Sequence, residues 1–181
     1  ESVDGFASLR RVRGDVRLGE PRQAMGLEAV NLRAEAAGGR VKAAMEVRGS
    51  RIGNWRAEGD ATLRAGETGW EISPAAPLAG RFELDVQDLA WMAAWLGPEA
   101  RTTGRLKGEG VLEGTARDPT WNGRLELTGL SLREPTLGAE VEDGTVVVAL
   151  KDREARIERF ELSMPWRPGE RAARAIAAAK R

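Results

Sequence analysis

The chain has 181 residues, enough for one medium-sized domain or for a segment of a larger repetitive protein. Its 28 basic and 28 acidic residues cancel, so no long-range field would attract nucleic acid or an anionic membrane surface. The absence of Cys, His and Tyr excludes disulfides and thiol catalysis, and it removes the usual neutral-pH base and the commonest metal ligand.

Apolar and polar residues alternate along most of the chain, which is the period of a strand with one buried face. In the longest case Trp55, Ala57 and Leu63 share one side, while Arg56 and Glu58 lie on the other. The pattern predicts about ten strands, over residues 11–18, 30–35, 41–48, 55–64, 80–86, 104–113, 124–132, 145–150 and 157–162, with a short strand near Trp70 and Ile72.

Short turn signals separate these strands, for example at residues 38–39, 118–119 and 143–144. Short connections imply antiparallel neighbours, because parallel strands need crossovers of a dozen residues or more. The alternation slips by one residue at Gly129 and again between Ile157 and Phe160, so we expect a bulge or bend at each place.

Residues 88–96 predict the one helix between strands, with Asp88 as its N-cap and Gly97 as its stop. Trp91 and Trp95 are spaced as neighbours on that helix. They would either pack the helix onto one end of the sheet, which is the interpretation we favour, or plug or gate a groove. Residues 167–181 form either a second helix or a disordered tail.

Strands with one apolar side must close into a barrel, stack as a sandwich, or form an elongated, strongly curved open sheet whose apolar side lines a trough. Aromatic residues are only 5% of the chain, and Gly59, Gly80, Gly108 and Gly110 fall among the apolar positions. Glycines there would leave space or let the sheet bend, which favours the trough, although bulges in a sandwich explain them equally well.

Several short motifs recur in a characteristic order in the second half of the chain. They are GRL at 104–106, GT at 114–115, PTWNG at 119–123, PTLG at 135–138 and DG at 143–144, preceded by PLAG at 77–80 and DLAWMAAWL at 88–96. In this order they resemble the repeating unit of the TamB family of translocation and assembly proteins, which belongs with the AsmA-like bridge-type lipid carriers. The likeness is weakest over residues 1–40.

The resemblance implies that residues 1–166 are one β-groove segment of a larger periplasmic protein of a Gram-negative bacterium. That protein would be anchored in the inner membrane and would reach an outer-membrane barrel partner of the TamA type through parts absent here. The groove would carry phospholipid acyl chains between the membranes. The alternative is a scaffold that pairs with nascent outer-membrane β-barrel strands.

The sequence favours a binding role over catalysis. The acidic residues that could form a catalytic pair, such as Asp60, Glu83 and Glu109, lie on the polar side of the strands or in turns. No phosphate-binding loop, calcium loop or serine elbow occurs, so we expect no cofactor and no metal. The predicted apolar lining consists of Leu63, Phe82, Leu84, Val86, Leu106, Leu112, Leu125, Leu127, Leu130, Leu132, Val146, Val148, Leu150, Ile157 and Phe160.

Overall fold

The computed structural model describes residues 4–18, 23–66, 69–135 and 139–164. The predicted helix or tail at 167–181 lies outside them. The described strands are β1 (Gly5–Arg10), β2 (Arg17–Leu18), β3 (Gln23–Ala24), β4 (Leu27–Ala37), β5 (Arg40–Gly49), β6 (Gly53–Gly66), β7 (Gly69–Ile72), β8 (Ala79–Val86), β9 (Arg101–Gly114), β10 (Pro119–Glu134), β11 (Ala139–Asp152) and β12 (Glu154–Ser163).

Ten of these strands form one antiparallel sheet in the order β1-β4-β5-β6-β8-β9-β10-β11-β12, with β7 paired only to β6. The long strand β6 pairs with β8 through Asn54–Asp60 and with β7 through Leu63–Gly66. The sheet does not close, so β1 and β12 are its edges. The mainly β and antiparallel architecture predicted from the alternation and the turns is therefore confirmed, and so is the open sheet that the glycines and the low aromatic content favoured.

Apart from the separate two-stranded sheet of β2 and β3, the described residues form no second sheet. Only eight apolar residues are buried in this part of the chain, and four of them are alanines: Met25, Ala76, Val86, Leu89, Ala93, Ala94, Ala100 and Val147. A sandwich of this size would bury many large side chains between its sheets. The fold is thus a single layer, and most of its apolar side chains are only partly covered.

Bulges occur at both places where the alternation slips. The β9–β10 register shifts between Thr128 and Ser131, around Gly129 with its φ of +60°. The β11–β12 register pairs Val147 with Arg159 but Val148 with Ile157. Each bulge bends its strand and returns the apolar residues that follow to the same side as those before it.

The helical segment lies where it was predicted and stops at Gly97 as expected, but it starts at Ala90 with Leu89 as its N-cap in place of the predicted Asp88. A 3-10 turn (Ala90–Met92) leads into a short helix, α1 (Ala93–Leu96). Asp88 lies just before the segment and accepts a hydrogen bond from the backbone N–H of Ala90 through Oδ1 at 2.9 Å. Gly97 ends the helix with a φ of +143°, in the region that glycine tolerates best.

The strand predicted over residues 11–18 is wrong, because only Arg17–Leu18 is extended and paired. The Arg11 guanidinium donates to the carbonyl oxygens of Gly14 and Glu28, and Gly14 has a φ of +100°. Asp15 accepts hydrogen bonds from backbone N–H groups on both sides of the β2–β3 hairpin. These side-chain bonds favour a loop over the ladder that the alternation suggests.

Candidate functional site

The strand register aligns apolar residues in rows that cross all or most of the sheet. Directly paired residues of an antiparallel sheet point to the same side, so the register itself assigns the sides. One row consists of Leu9, Leu32, Met45, Ala57, Phe82, Gly110, Gly123, Leu150 and Ala155. A second consists of Val30, Val47, Trp55, Leu84, Gly108, Leu125, Val148 and Ile157. We call this side of the sheet the apolar face; no polar side chain interrupts either row.

A shorter third row contains five of the predicted lining residues, Val86, Leu106, Leu127, Val146 and Phe160. Leu112 lies on the same face, paired with Gly80 and with Trp121. Beyond the bulge, Leu132 pairs with Thr102 on one side and with Val141 on the other. Leu63 shares the parity of Ala57 on β6, and it pairs with Ile72 of β7 in the part of β6 that β8 does not reach.

Glycines of β9 make room for side chains of the neighbouring strands. A Cβ atom at Gly108 would lie 2.5 Å from Leu125 Cδ2 and 3.1 Å from Leu84 Cγ. One at Gly110 would lie 2.7 Å from Phe82 Cε1. The expectation that these glycines leave empty space is therefore wrong at these two positions, because larger side chains on β8 and β10 lean over them.

The same arrangement recurs at Gly144 on β11. A Cβ there would lie 2.8 Å from Leu162 Cδ2 and 3.0 Å from Leu130 Cβ, so the leucines of β10 and β12 meet above the glycine. These contacts also place Leu130 on the apolar face. At Gly108, Gly110 and Gly144, side chains of the neighbouring strands therefore cover the space above the glycine.

The other half of the apolar face lies over β1, β4, β5 and β6. It holds an open depression of about 510 Å³ whose lining includes Ala7, Leu9, Leu32, Ala34, Ala43, Met45, Ala57 and Gly59. None of these eight residues was predicted as lining, although the alternation in β4, β5 and β6 already places the six that belong to these strands on the apolar side. Ala7 and Leu9 belong to β1, whose six residues were not predicted as a strand.

Trp121 is a further residue of the apolar face that the prediction missed. It shares the parity of Leu125, and its ring contacts Phe82 edge to face. The signal was present in the sequence, because Trp121, Gly123 and Leu125 alternate with polar residues.

The helical segment lies at the end of β9 that adjoins the third row. Leu89 is buried, its N–H donates to Gly104 O at 3.1 Å, and Thr102 Oγ1 donates to Leu89 O at 2.6 Å. The rings of Trp91 and Trp95 meet edge to face with centroids 5.0 Å apart. Trp91 is half-buried and Trp95 is 59% exposed, so the pair spans from the protein surface into solvent.

The opposite side of the sheet carries charges of both signs in rows. Arg81 Nε lies 2.8 Å from Glu58 Oε1, and Arg56 Nη2 lies 3.9 Å from Glu46 Oε1. These pairs are largely exposed, and such pairs contribute ~0–1 kcal/mol each. A depression of about 650 Å³ on this side is lined mainly by alternating acidic and basic residues, an arrangement that favours no single sign of ligand.

Among the described residues, no three His, Cys, Asp or Glu side chains converge as metal ligands. None of the described helices is long and apolar enough to cross a bilayer. No protein-family model matches the chain, and it matches no curated protein and no solved structure.

Proposed function

We propose that the chain is a lipid-carrying segment of a TamB-type protein, in which acyl chains lie along the apolar face. The observation that carries this proposal is the register, which aligns apolar residues across nine strands with no polar side chain between them. The role is one of binding and passage, without covalent chemistry. It belongs in the periplasm, between an inner-membrane anchor and an outer-membrane barrel partner.

The energetics favour an extended apolar ligand. Burying one methylene group stabilises a complex by ~0.8 kcal/mol, so a long acyl chain gains from an apolar surface without any specific polar contact. Nine strands at ~4.8 Å spacing give rows of about 40 Å along the direction of the inter-strand hydrogen bonds. Because the rows offer only apolar contacts and no polar group that would hold a ligand in one place, they favour sliding over tight binding at one position.

The open sheet matters for the polar end of such a ligand. A phospholipid head group must stay hydrated, since transferring a charge into an apolar interior is very costly. A closed barrel would have to enclose the head group or exclude it. An apolar face that is open to solvent lets the chain be covered while the head group remains in water.

The depression over β4 and β5 provides a matched pair of test variants. Ala43 and Ala44 are adjacent and exposed on β5 and both border the depression, but the strand register assigns Ala43 to the apolar face and Ala44 to the charged side. Ala43→Arg places a hydrated charge on the proposed path, whereas Ala44→Arg adds the same charge outside it.

The measurement is mass spectrometry of lipid extracted from the purified protein, together with crosslinking to a photoreactive phospholipid. We expect lipid with the unmodified chain and with Ala44→Arg, and much less with Ala43→Arg. Absence of lipid from the unmodified chain, or equal crosslinking of the two variants, would contradict the proposal.

The open edges favour a second candidate function, a scaffold that pairs with nascent β-barrel strands. Phe6 and Leu9 on β1, and Ile157 and Phe160 on β12, are all exposed. Unpaired edge strands can accept an extended peptide through backbone hydrogen bonds. Under this function, a peptide copied from a barrel strand would protect the edge amides of β1 or β12 from hydrogen exchange, while lipid would leave those amides unchanged.

A further inference from the structure

The outer edge of β12 has a pattern of side chains that is complementary to itself. β12 (Glu154–Ser163) pairs with β11 on one side only, and no other described strand lies beyond it. Ile157 and Phe160 are 61% and 63% exposed there, although they end two rows of the apolar face. An edge strand that presents large apolar side chains in this way is suited to pairing with another strand.

The bulge in β12 decides which side chains share a side. Val147 pairs with Arg159 and Val148 with Ile157, so Glu158 is the additional residue. Ile157 and Phe160 therefore lie on the apolar face, while Glu158 and Arg159 lie between them on the charged side. Without the bulge, a spacing of three residues would put Ile157 and Phe160 on opposite sides.

This arrangement fits an antiparallel copy of the same strand. With a twofold axis perpendicular to the sheet between Glu158 and Arg159, Ile157 faces Phe160 of the second copy, and Glu158 faces Arg159. The next pairs outward are Arg156 with Glu161, and Ala155 with Leu162. Each of these pairs joins two apolar residues or two opposite charges, and both members come from the same side of the sheet.

Neighbouring registers lack this complementarity. If the axis passes through residue 158 instead, Glu158 faces its own copy, and if it passes through residue 159, Arg159 does. Like charges directly opposite each other destabilise a strand pair. The other edge offers no equivalent, because Arg10 is the sole charged residue of β1.

We propose that two copies of this chain associate through their β12 strands in this register. A paired edge of ten residues forms about ten backbone hydrogen bonds, which matches the number in a typical interface. The axis is perpendicular to the sheet, so both apolar faces lie on the same side and the rows continue from one copy into the other. The association rests on the edge alone and does not depend on the lipid function.

Charge-reversal variants of the full chain test this register. Their association would be measured by sedimentation velocity over a wide range of protein concentration. We expect the unmodified chain to reach twice the monomer mass as concentration rises. Arg156→Glu creates two repulsive pairs in each dimer, and we expect it to raise the dimer dissociation constant about tenfold. Glu161→Arg should do the same, and the double variant Arg156→Glu/Glu161→Arg should restore association, because both pairs become attractive again.

The matched control is Arg10→Glu on the opposite edge, which should leave the dissociation constant unchanged. Circular dichroism of every variant verifies that the sheet is retained, and recovery in the double variant separates loss of pairing from loss of folding. A chain that stays monomeric at every concentration would overturn the proposal. So would a dimer that withstands Arg156→Glu, or one that Arg10→Glu disrupts.

Discussion

The rings of Phe82 and Trp121 meet edge to face with centroids 6.5 Å apart, although their strands, β8 and β10, are separated by β9. They can meet because β9 has Gly110 where another residue would raise a side chain between them. Aromatic pairs of this kind contribute ~0.5–1.5 kcal/mol beyond the area that they bury. The contact ties three strands together on the apolar face of a sheet that has little other core.

Replacing Gly110 with Ala should therefore destabilise the protein. The new Cβ would lie 2.7 Å from Phe82 Cε1 and 3.1 Å from Asn122 O, so the ring must move away from Trp121. Overpacking of this kind typically costs ~1–3 kcal/mol, and chemical denaturation would measure the loss. As a control, Gly5→Ala on β1 adds a Cβ with nothing within 4 Å and should have little effect. If Phe82 is responsible, the cost of Gly110→Ala will be smaller in a Phe82→Leu background.

Much of this fold follows from the alternation of side chains, and the remainder depends on which strands pair. The period of two separates the two sides of the sheet, and the slip at Gly129 predicts its bulge, since both are local properties of the strand. The contact of Phe82 with Trp121 requires the register of three strands, which no local pattern contains. The loop at residues 11–16 was mistaken for a strand because Arg11 and Asp15 form hydrogen bonds that the alternation cannot reveal.

The pKa of Asp15 provides a test of that loop. Hydrogen bonds from the backbone N–H groups of Leu27, Gly26 and Val16, and the nearby Arg11, hold the pKa of Asp15 below its ordinary value of 3.8. A depressed pKa means that the carboxylate stabilises the fold above pH 3.8, and that this contribution is lost as the pH falls through the folded-state value.

Hydrogen exchange of the Gly26 and Leu27 amides would follow this loss. We expect both amides to be protected at neutral pH and to lose protection below pH 3.8, once Asp15 is protonated. Asp15→Asn should reduce their protection already at neutral pH. Asp143→Asn is the control, because asparagine tolerates the φ of +52° that Asp143 adopts. Amides that stay protected in Asp15→Asn would contradict the proposed role of the carboxylate.

Trp91 and Trp95 allow packing to be distinguished from gating. Trp91 is half-buried, so we expect Trp91→Ala to lower the free energy of unfolding by ~1–3 kcal/mol, less than for a fully buried tryptophan. Trp95 is mostly exposed, and Trp95→Ala should cost under ~1 kcal/mol. Thermal denaturation and a lipid-exchange assay on the same variants would distinguish a packing role from a gating role. Faster lipid exchange in Trp95→Ala, at unchanged stability, would favour a gate over simple packing.

Leu125→Arg tests whether the apolar face is an open surface. In a packed core, an unpaired charge costs several kcal/mol, much of the ~5–15 kcal/mol that stabilises a typical domain. Leu125 is only half-buried in a single-layer sheet, so the introduced guanidinium can reach water along its own aliphatic stem. We therefore expect a loss below ~2 kcal/mol, part of it from the lost contact with Gly108.

The Leu125→Arg variant should also interrupt lipid passage, because an acyl chain sliding past the introduced guanidinium must either strip water from the charge or leave the face. Asn122→Arg is the matched control, since Asn122 lies on β10 but pairs with Val111 and Lys151 on the charged side. Thermal unfolding and photocrosslinking to phospholipid would be measured for both variants. A collapsed melting temperature for Leu125→Arg would mean that this face is a closed core, and normal crosslinking in a folded Leu125→Arg variant would exclude it as the lipid path.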